Sequence, residues 1–306
     1  MEKRTAIIDV GSTSIRIIIM LISRNGAYRM LDQAKEHVRL SYGLSRNNLL
    51  QQEKMAEAIE AIKLFKTLAG AHKVERIIAV ATAAVRTASN GQHFVQAVFA
   101  ETGIKVEIID GQREAYLDCI SAANTIARDN YILIDTGGGS TELALVKGRR
   151  AIFVESLPLG SMNLTERFPV SNKEDLKRLN RHIDQTLSTV NSLSAGKGLP
   201  IVAVGGSART LAKIDKHKLR HPLEGLHNYI LKKKDCLDIY HHLASLSEER
   251  RQKVQGLDRK RSDIIVGGLA PLMGLMRFCE TKEICINGNG IREGLFFEYY
   301  LRSNNS

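Results

Sequence analysis

Two short segments of this chain put an aspartate at the end of an apolar run and follow it at once with a turn of glycine and hydroxyl residues. They are Ile8-Asp9-Val10-Gly11-Ser12-Thr13-Ser14 and, further on, Ile134-Asp135-Thr136-Gly137-Gly138-Gly139-Ser140. A carboxylate at a strand end, beside bare backbone N–H groups that can point at an anion, is a cation site next to a phosphate cradle. Glycine serves such a turn because a Cβ blocks the approach of backbone to phosphate oxygens, and because these turns need φ > 0. One copy alone could be a hairpin and nothing more. Two copies facing each other across a cleft can clamp a phosphate chain from both sides. Gly205-Gly206-Ser207, ahead of a helical pattern, is either a third anion-binding helix start or a plain strand-to-helix turn.

Each copy continues into a second β-type run, Ile15 to Ile22 and Leu143 to Val146, so the pair is a duplicated β-hairpin. Strand-like runs at Arg76 to Ala81, Lys105 to Ile109, Leu199 to Val204 and Glu283 to Ile286 alternate with helical patterns. The helices are predicted at Gln51 to Leu68, Gln112 to Ala123, Lys173 to Leu193, Ser207 to Ile214 and Ser262 to Phe278. The class is α/β, with a duplicated actin-like, ribonuclease H-like arrangement of two domains around a central cleft. At 306 residues the chain is long enough for two cores. The polar stretch from Ala123 to Asn130 is the candidate boundary. It gives domains 1–125 and 126–306, with a C-terminal helix at about 291–304 free to pack back on the first.

Apolar residues make up 43% and charged residues 25%, an ordinary globular balance. Lys plus Arg (44) exceed Asp plus Glu (33) by 11, and the excess clusters at Lys147 to Arg150, Lys213 to Arg220, Lys232 to Lys234 and Arg259 to Arg261. Such a field favours polyanionic partners. Nucleic acid answers to the same charge, but without Trp or an aromatic-rich basic stripe the stacking platforms of single-strand binders are not visible, and nucleic acid is disfavoured. Cys119, Cys236, Cys279 and Cys285 form no C-x-x-C pair and suit buried free thiols in a reducing compartment. The N-terminus lacks a signal-peptide layout. The most apolar run, Ile15 to Ile22, is too short to cross a bilayer and contains Arg16, so no membrane role and a cytoplasmic protein are expected. His241-His242 has no carboxylate at ligand spacing and reads as helix surface.

The series of motifs resembles that of the exopolyphosphatase/guanosine pentaphosphate phosphohydrolase family over nearly the whole chain. Ile8 to Arg16 is similar to its first phosphate loop, and Ala81-Thr82-Ala83-Ala84-Val85-Arg86-Thr87-Ala88-Ser89-Asn90 to its arginine-bearing segment. Ile109-Asp110-Gly111-Gln112-Arg113-Glu114-Ala115 resembles the segment with the catalytic glutamate, and Ile134 to Glu142 the second loop. Val204 to Ala208, Leu246 to Arg250, Arg261 to Ile265 and Ile291 to Gly294 are similar to further family blocks. The resemblance implies release of a terminal phosphate from polyphosphate or from guanosine pentaphosphate, within the stringent response, by a homodimer. In that scheme Glu114 orients or deprotonates the attacking water and Arg86 neutralises charge on the phosphoryl group. Asp135, Glu142 and Asp9 hold Mg²⁺ directly or through water. The amides of Gly11, Ser12, Thr13, Gly137, Gly138, Gly139 and Ser140 cradle phosphate oxygens, and Gly205, Gly206 and Ser207 take the next phosphate or a nucleotide.

Some positions depart from the family. Thr13 stands where an Asn is usual, Arg113 where a Glu precedes the catalytic one, and Tyr116 where an Arg follows it. No His-Asp dipeptide occurs, and the chain ends soon after Arg292-Glu293-Gly294. The helical C-terminal domain of longer relatives is therefore not expected, which makes short polyphosphates or a guanosine tetra- or pentaphosphate the expected ligands. Two other readings share the motifs: an actin-like kinase of small molecules, and a non-hydrolytic regulator that binds these polyanions.

Overall fold

A computed structural model describes residues 2–220 and 225–303. The chain divides into two compact units, one made of the residues up to Glu114 together with those from Ile291 onward, the other of Ala115–Gly290.

In the first unit, β1 (Lys3–Val10) pairs antiparallel with β2 (Ile15–Ile22), which pairs with β3 (Tyr28–Glu36). On the other side β1 runs parallel to β4 (Arg76–Ala81), and β4 to β5 (Val106–Ile108), so the order is β3-β2-β1-β4-β5. Strand β2 reads as an apolar run broken only by Arg16, and β1 is apolar from Ala6 except for Asp9, because both faces of these strands are covered. The helices are α1 (Leu44–Asn47), α2 (Gln52–Ala71), α3 (Ala83–Thr87), α4 (Gly91–Thr102) and the start of α5 (Gly111–Thr125). Helix α2 repeats apolar residues at helical spacing, Met55, Ile59, Ile62 and Phe65, and buries that stripe with Phe94 and Val98 of α4 under the sheet.

The second unit repeats the plan. Strands β6 (Tyr131–Thr136), β7 (Thr141–Lys147) and β8 (Arg150–Leu157) form an antiparallel meander, with β9 (Ile201–Val204) parallel to β6. After β10 (Ile230–Lys232), β11 (Glu283–Ile286) lies parallel to β9, and β10 closes the edge antiparallel to β11. Read as β8-β7-β6-β9-β11, this order matches β3-β2-β1-β4-β5. The register slips at Ile19/Met20 in one meander and at Leu145/Val146 in the other, the same place in each copy. The duplication seen as two turns in the sequence is thus a duplication of whole sheets.

The helices of this unit are α6 (Ser161–Arg167), α7 (Lys173–Ser188), α8 (Gly205–Lys218), α9 (Lys233–Ser245), α10 (Glu248–Arg251) and α11 (Ile265–Phe278). Helix α11 is buried from Ile265 to Met276 and forms the centre of the core. Helix α7 starts on Asn172, whose side chain accepts from the N–H groups of Glu174 and Asp175. It ends at Ser188, short of the expected Leu193, and a 3₁₀ turn comes next at Asn191–Gly196; β-branched Thr189 and Val190 stand where the helix stops. The last helix, α12 (Ile291–Ser303), belongs to the first unit, and residue 304 of the expected helix lies outside the described residues.

The division falls inside α5 rather than at the polar stretch 123–130. Cys119 and Ala122 of α5, with Ile126 just after it, join Tyr131, Leu133 and Val204 in the second unit's core, so the rear of that helix folds with the β6 and β9 strands. All four cysteines are buried, and burial pushes the thiols of Cys119 and Cys236 up to about 12 and that of Cys279 up to about 11. Among the described residues no helix is long and apolar enough to cross a membrane.

Candidate functional site

The second hairpin closes with Gly137 N donating to Ser140 O at 3.0 Å. The carbonyls of its turn face backwards onto α6. Gly137 O and Gly138 O accept from Ser161 N and Met162 N, each at 2.9 Å, and Gly139 O accepts from Asn163 Nδ2 at 2.8 Å. Gly160 permits this: a Cβ there would lie 2.2 Å from Gly139 C. With the carbonyls held, the amides of Gly138, Gly139 and Ser140 donate to no protein acceptor among the described contacts, the layout of an anion-binding nest.

Asp135 and Glu142 stand directly opposite each other across β6 and β7, so their side chains share a face of the sheet. Glu142 is 1% exposed, and its Oε1 accepts from Ser156 Oγ at 2.8 Å. Two like charges at opposed positions destabilise a hairpin unless a cation lies with them. A pair of carboxylates is also what Mg²⁺ takes when phosphates and water fill the rest of its shell, so the residues fit that ion. Among the described residues no three His, Cys, Asp or Glu side chains cluster for a metal. Next to the pair comes the third glycine turn. Gly205 has φ +91°, and a Cβ on it would fall 2.2 Å from Asp135 Oδ1, so glycine is required both by the backbone and by the carboxylate.

Ser207, in the first turn of α8, accepts from Arg261 Nη2 at 3.0 Å. Arg261 is 7% exposed, and its guanidinium therefore sits buried at the positive end of a helix, a place that favours anions over cations. In the sequence its segment resembles a family block, yet nothing there assigns Arg261 a role. Asp118 was missed as well: it is fully buried on α5 four residues after Glu114, and that i, i+4 spacing was the available signal.

In the first unit the turn closes identically, with Gly11 N donating to Ser14 O at 3.2 Å. Ser12 O and Thr13 O accept from Ser41 N at 3.1 Å and Arg39 N at 3.0 Å, which again leaves the Ser12 and Thr13 amides without a described protein acceptor. Asp9 faces Arg16 across the strands, where Asp135 faces Glu142. Its Oδ1 is shut off from solvent and has no hydrogen-bond partner. Burial pushes the Asp9 carboxyl above its usual 3.8, against the pull of Arg16 and Arg292, while Glu293 adds to the rise.

Arg86 and Glu114 meet in this unit. Helix α3 follows the C-terminal end of β4 and α5 the end of β5, so both residues stand at the same end of the sheet. Arg86 Nη1 donates to Glu114 Oε2 at 3.0 Å and to Ile109 O at 2.9 Å. Glu114, in the first turn of α5, is 6% exposed. Arg113, the departure next to it, points elsewhere and forms a bidentate pair with Glu298 of α12, one bond of which is 2.8 Å long. Its charge is therefore already matched by a carboxylate away from Glu114. Tyr116 is 45% exposed.

Matching sheets in both units, each with a turn of outward-facing amides after its first strand, place the protein in the duplicated actin-like class. Within that class the chain belongs to the Ppx/GppA phosphatase family, whose sequence profile matches residues 19–303. It is 28% identical over 309 residues to the guanosine-5′-triphosphate,3′-diphosphate pyrophosphatase of Pseudoalteromonas translucida, covering 98% of this chain and 60% of that protein. It is 26% identical over 308 residues to a bifunctional 3-dehydroquinate synthase/phosphatase of Fusobacterium nucleatum, covering 96% and 46%. The chain thus spans about half the length of the curated relatives it matches. Among solved structures, the Ppx/GppA family member of Aquifex aeolicus superposes with a TM-score of 0.85 at 28% identity over 100% of both chains. An exopolyphosphatase of Cytophaga hutchinsonii shares the fold, with a TM-score of 0.92 at 23% identity over 98% of each chain.

Proposed function

We propose that this chain is a Mg²⁺-dependent phosphohydrolase that releases the terminal phosphate of inorganic polyphosphate, of guanosine pentaphosphate, or of both. The observation that carries the proposal is the Arg86–Glu114 contact of 3.0 Å, which pairs a buried carboxylate able to hold a water with a cation suited to a phosphoryl group. Glu114 orients the water and accepts its proton as the water attacks the terminal phosphorus in line with the departing phosphate chain. Arg86 fixes the Glu114 carboxylate and offers its remaining N–H groups to the oxygens of the phosphoryl group.

The amides of Gly138, Gly139 and Ser140, with those of Ser12 and Thr13, receive phosphate oxygens, and Ser207 with Arg261 receives a further phosphate. Asp135 and Glu142 are the residues that would hold Mg²⁺, and when bound the ion screens the negative charge on the departing phosphate. Asp9 is left out of that pair because the residue opposite it is Arg16. The reading carries with it a cytoplasmic homodimer working in guanosine polyphosphate metabolism; light scattering on the purified chain tests the dimer.

The decisive experiment incubates wild type and Glu114→Gln with Mg²⁺ and, separately, short polyphosphate, long polyphosphate, guanosine pentaphosphate and ATP. Orthophosphate release by wild type, lowered about 10²- to 10⁴-fold in the variant, is expected. Equal rates would sink the proposed role of Glu114. ADP formed together with a phosphorylated acceptor would make the chain a kinase.

A further inference from the structure

The basic cluster Lys232–Lys234 takes no part in the turns described above. Lys232 lies opposite Glu283 in the β10–β11 pair, and Lys233 N donates to Lys282 O at 2.8 Å. Lys232, Lys233, Lys234 and Lys282 thereby come together and, with Leu237, line a hollow of about 690 Å³; the Lys233 ammonium donates to Met276 O at 3.5 Å. Lys232, Lys234 and Lys282 have no carboxylate partner among the described contacts. Lys54, Lys177 and Lys197 each have one and Lys63 has two, at 2.6 to 3.3 Å.

Of the two acidic residues lining the hollow, Glu283 is engaged by Arg128 at 2.9 Å. The other, Asp238, also lines a second hollow of about 410 Å³, which adds His217, Lys218 and His242. The two hollows share Asp238, and together they are lined by five lysines and two histidines against two acidic residues, Asp238 and Glu283.

This surface is remote from the Gly205–Ser207 turn of its own unit. Gly205–Ser207 follows the C-terminal end of β9, whereas Lys282 precedes the N-terminal end of β11, which is parallel to β9. The 14 residues of α8 separate Gly205 from His217 and Lys218 by about 20 Å.

We propose that the joined hollows are a second binding site, a track for linear inorganic polyphosphate at the end of Ala115–Gly290 away from its phosphate turns. Compact, strongly hydrated ammonium groups suit a chain of closely spaced phosphates. No Phe, Tyr or Trp lines either hollow, so a nucleic acid would find no surface on which to stack its bases. The track shares its ligand class with the hydrolase reading but does not need turnover. By holding a distant part of the chain it raises the effective concentration of the rest, so affinity grows with polyphosphate length. That sets it against the expectation of short ligands drawn from where the sequence stops.

The test is anisotropy of end-labelled polyphosphate, short and long, in EDTA so that nothing is hydrolysed. The triple variant Lys232→Ala, Lys234→Ala, Lys282→Ala should lose roughly tenfold or more in affinity for the long chain, and its plot of log K against log salt should flatten by about 0.7 per phosphate contact removed. Asp238→Lys should bind more tightly than wild type, which no misfolded variant would do. Wild-type affinity in both variants overturns the proposal. A loss confined to a single-stranded RNA probe of matched charge, with polyphosphate unaffected, overturns it too by making the surface an RNA site. If wild type binds through these lysines but releases no phosphate in Mg²⁺, the hydrolase reading falls and the track stands.

Discussion

The two hairpins are alike in backbone and opposite in chemistry. Both turns close with the first N–H donating to the fourth carbonyl, at 3.2 Å in Gly11–Ser14 and 3.0 Å in Gly137–Ser140, and both have their middle carbonyls tied back by a later segment. Across the strands, however, Asp9 meets Arg16 and Asp135 meets Glu142. The first pair sets a carboxylate opposite a guanidinium, so an added divalent cation would meet an arginine. The second pair sets two carboxylates side by side, the oxygen donors that a divalent cation takes. A duplicated scaffold can thus supply one set of phosphate amides without a metal and one set with it, by changing a single residue two positions after the turn.

The harshest way to test that contrast is to give the second hairpin the first one's pair. Glu142→Arg places an arginine opposite Asp135 and should abolish Mg²⁺ binding. Loss of the several kcal/mol that a metal contributes to phosphoryl transfer corresponds to about 10³-fold or more in rate. Phosphate release assays and Mg²⁺ calorimetry together check it. A variant that kept both would show that the opposed carboxylates are structural and that the two hairpins do not divide the work.

A smaller effect should come from Ser156, which donates to Glu142 Oε1 at 2.8 Å and whose register counterpart in the first unit is Lys35, opposite Arg16. Ser156→Ala leaves both carboxylates but frees the rotation of one. Hydrogen bonds of this kind behind a metal ligand are worth about 10- to 100-fold in metal affinity, so the Mg²⁺ concentration for half-maximal activity should rise while the rate at saturating Mg²⁺ changes little. A fall in the saturated rate with unchanged Mg²⁺ affinity would contradict that assignment.

Much of this contrast was legible beforehand, and the exceptions have physical causes. The turns were readable because glycine, hydroxyl and aspartate residues interrupt β-branched runs, and β2, β4 and β11 carry the bounds read from those runs. Strand β3, YRMLDQAKE, escaped notice: it is polar and mostly exposed at a sheet edge, and its extended form comes from pairing with β2 rather than from its own pattern. Helix α9 was hidden by three lysines about its start, where the helix dipole disfavours them. Residue types pointed to Arg86 and Glu114 separately, but their contact spans 28 residues and that of Arg113 with Glu298 spans 185, which no local pattern encodes. The same limit hid Arg261, whose burial at the start of α8 depends on the packing of that unit.

The mildest test returns to Asp9, the aspartate opposite Arg16. Burial raises its carboxyl pKa in the folded protein, so the native state holds that proton to a higher pH than the unfolded chain does. By linkage, stability from the protonated form is complete below the unfolded value near 3.8 and is lost as pH rises through the folded value. Asp9→Asn keeps the neutral shape and avoids that loss. In metal-free buffer the variant should match wild type at the acidic end and gain on it in melting temperature as pH rises. Its Mg²⁺ affinity should stay within a few-fold of wild type, because the ion is assigned to the other hairpin. If Asp9→Asn instead lowered Mg²⁺ affinity as far as Glu142→Arg, the ion would bind both hairpins, and the difference between Arg16 and Glu142 would have to be explained by phosphate charge rather than by metal.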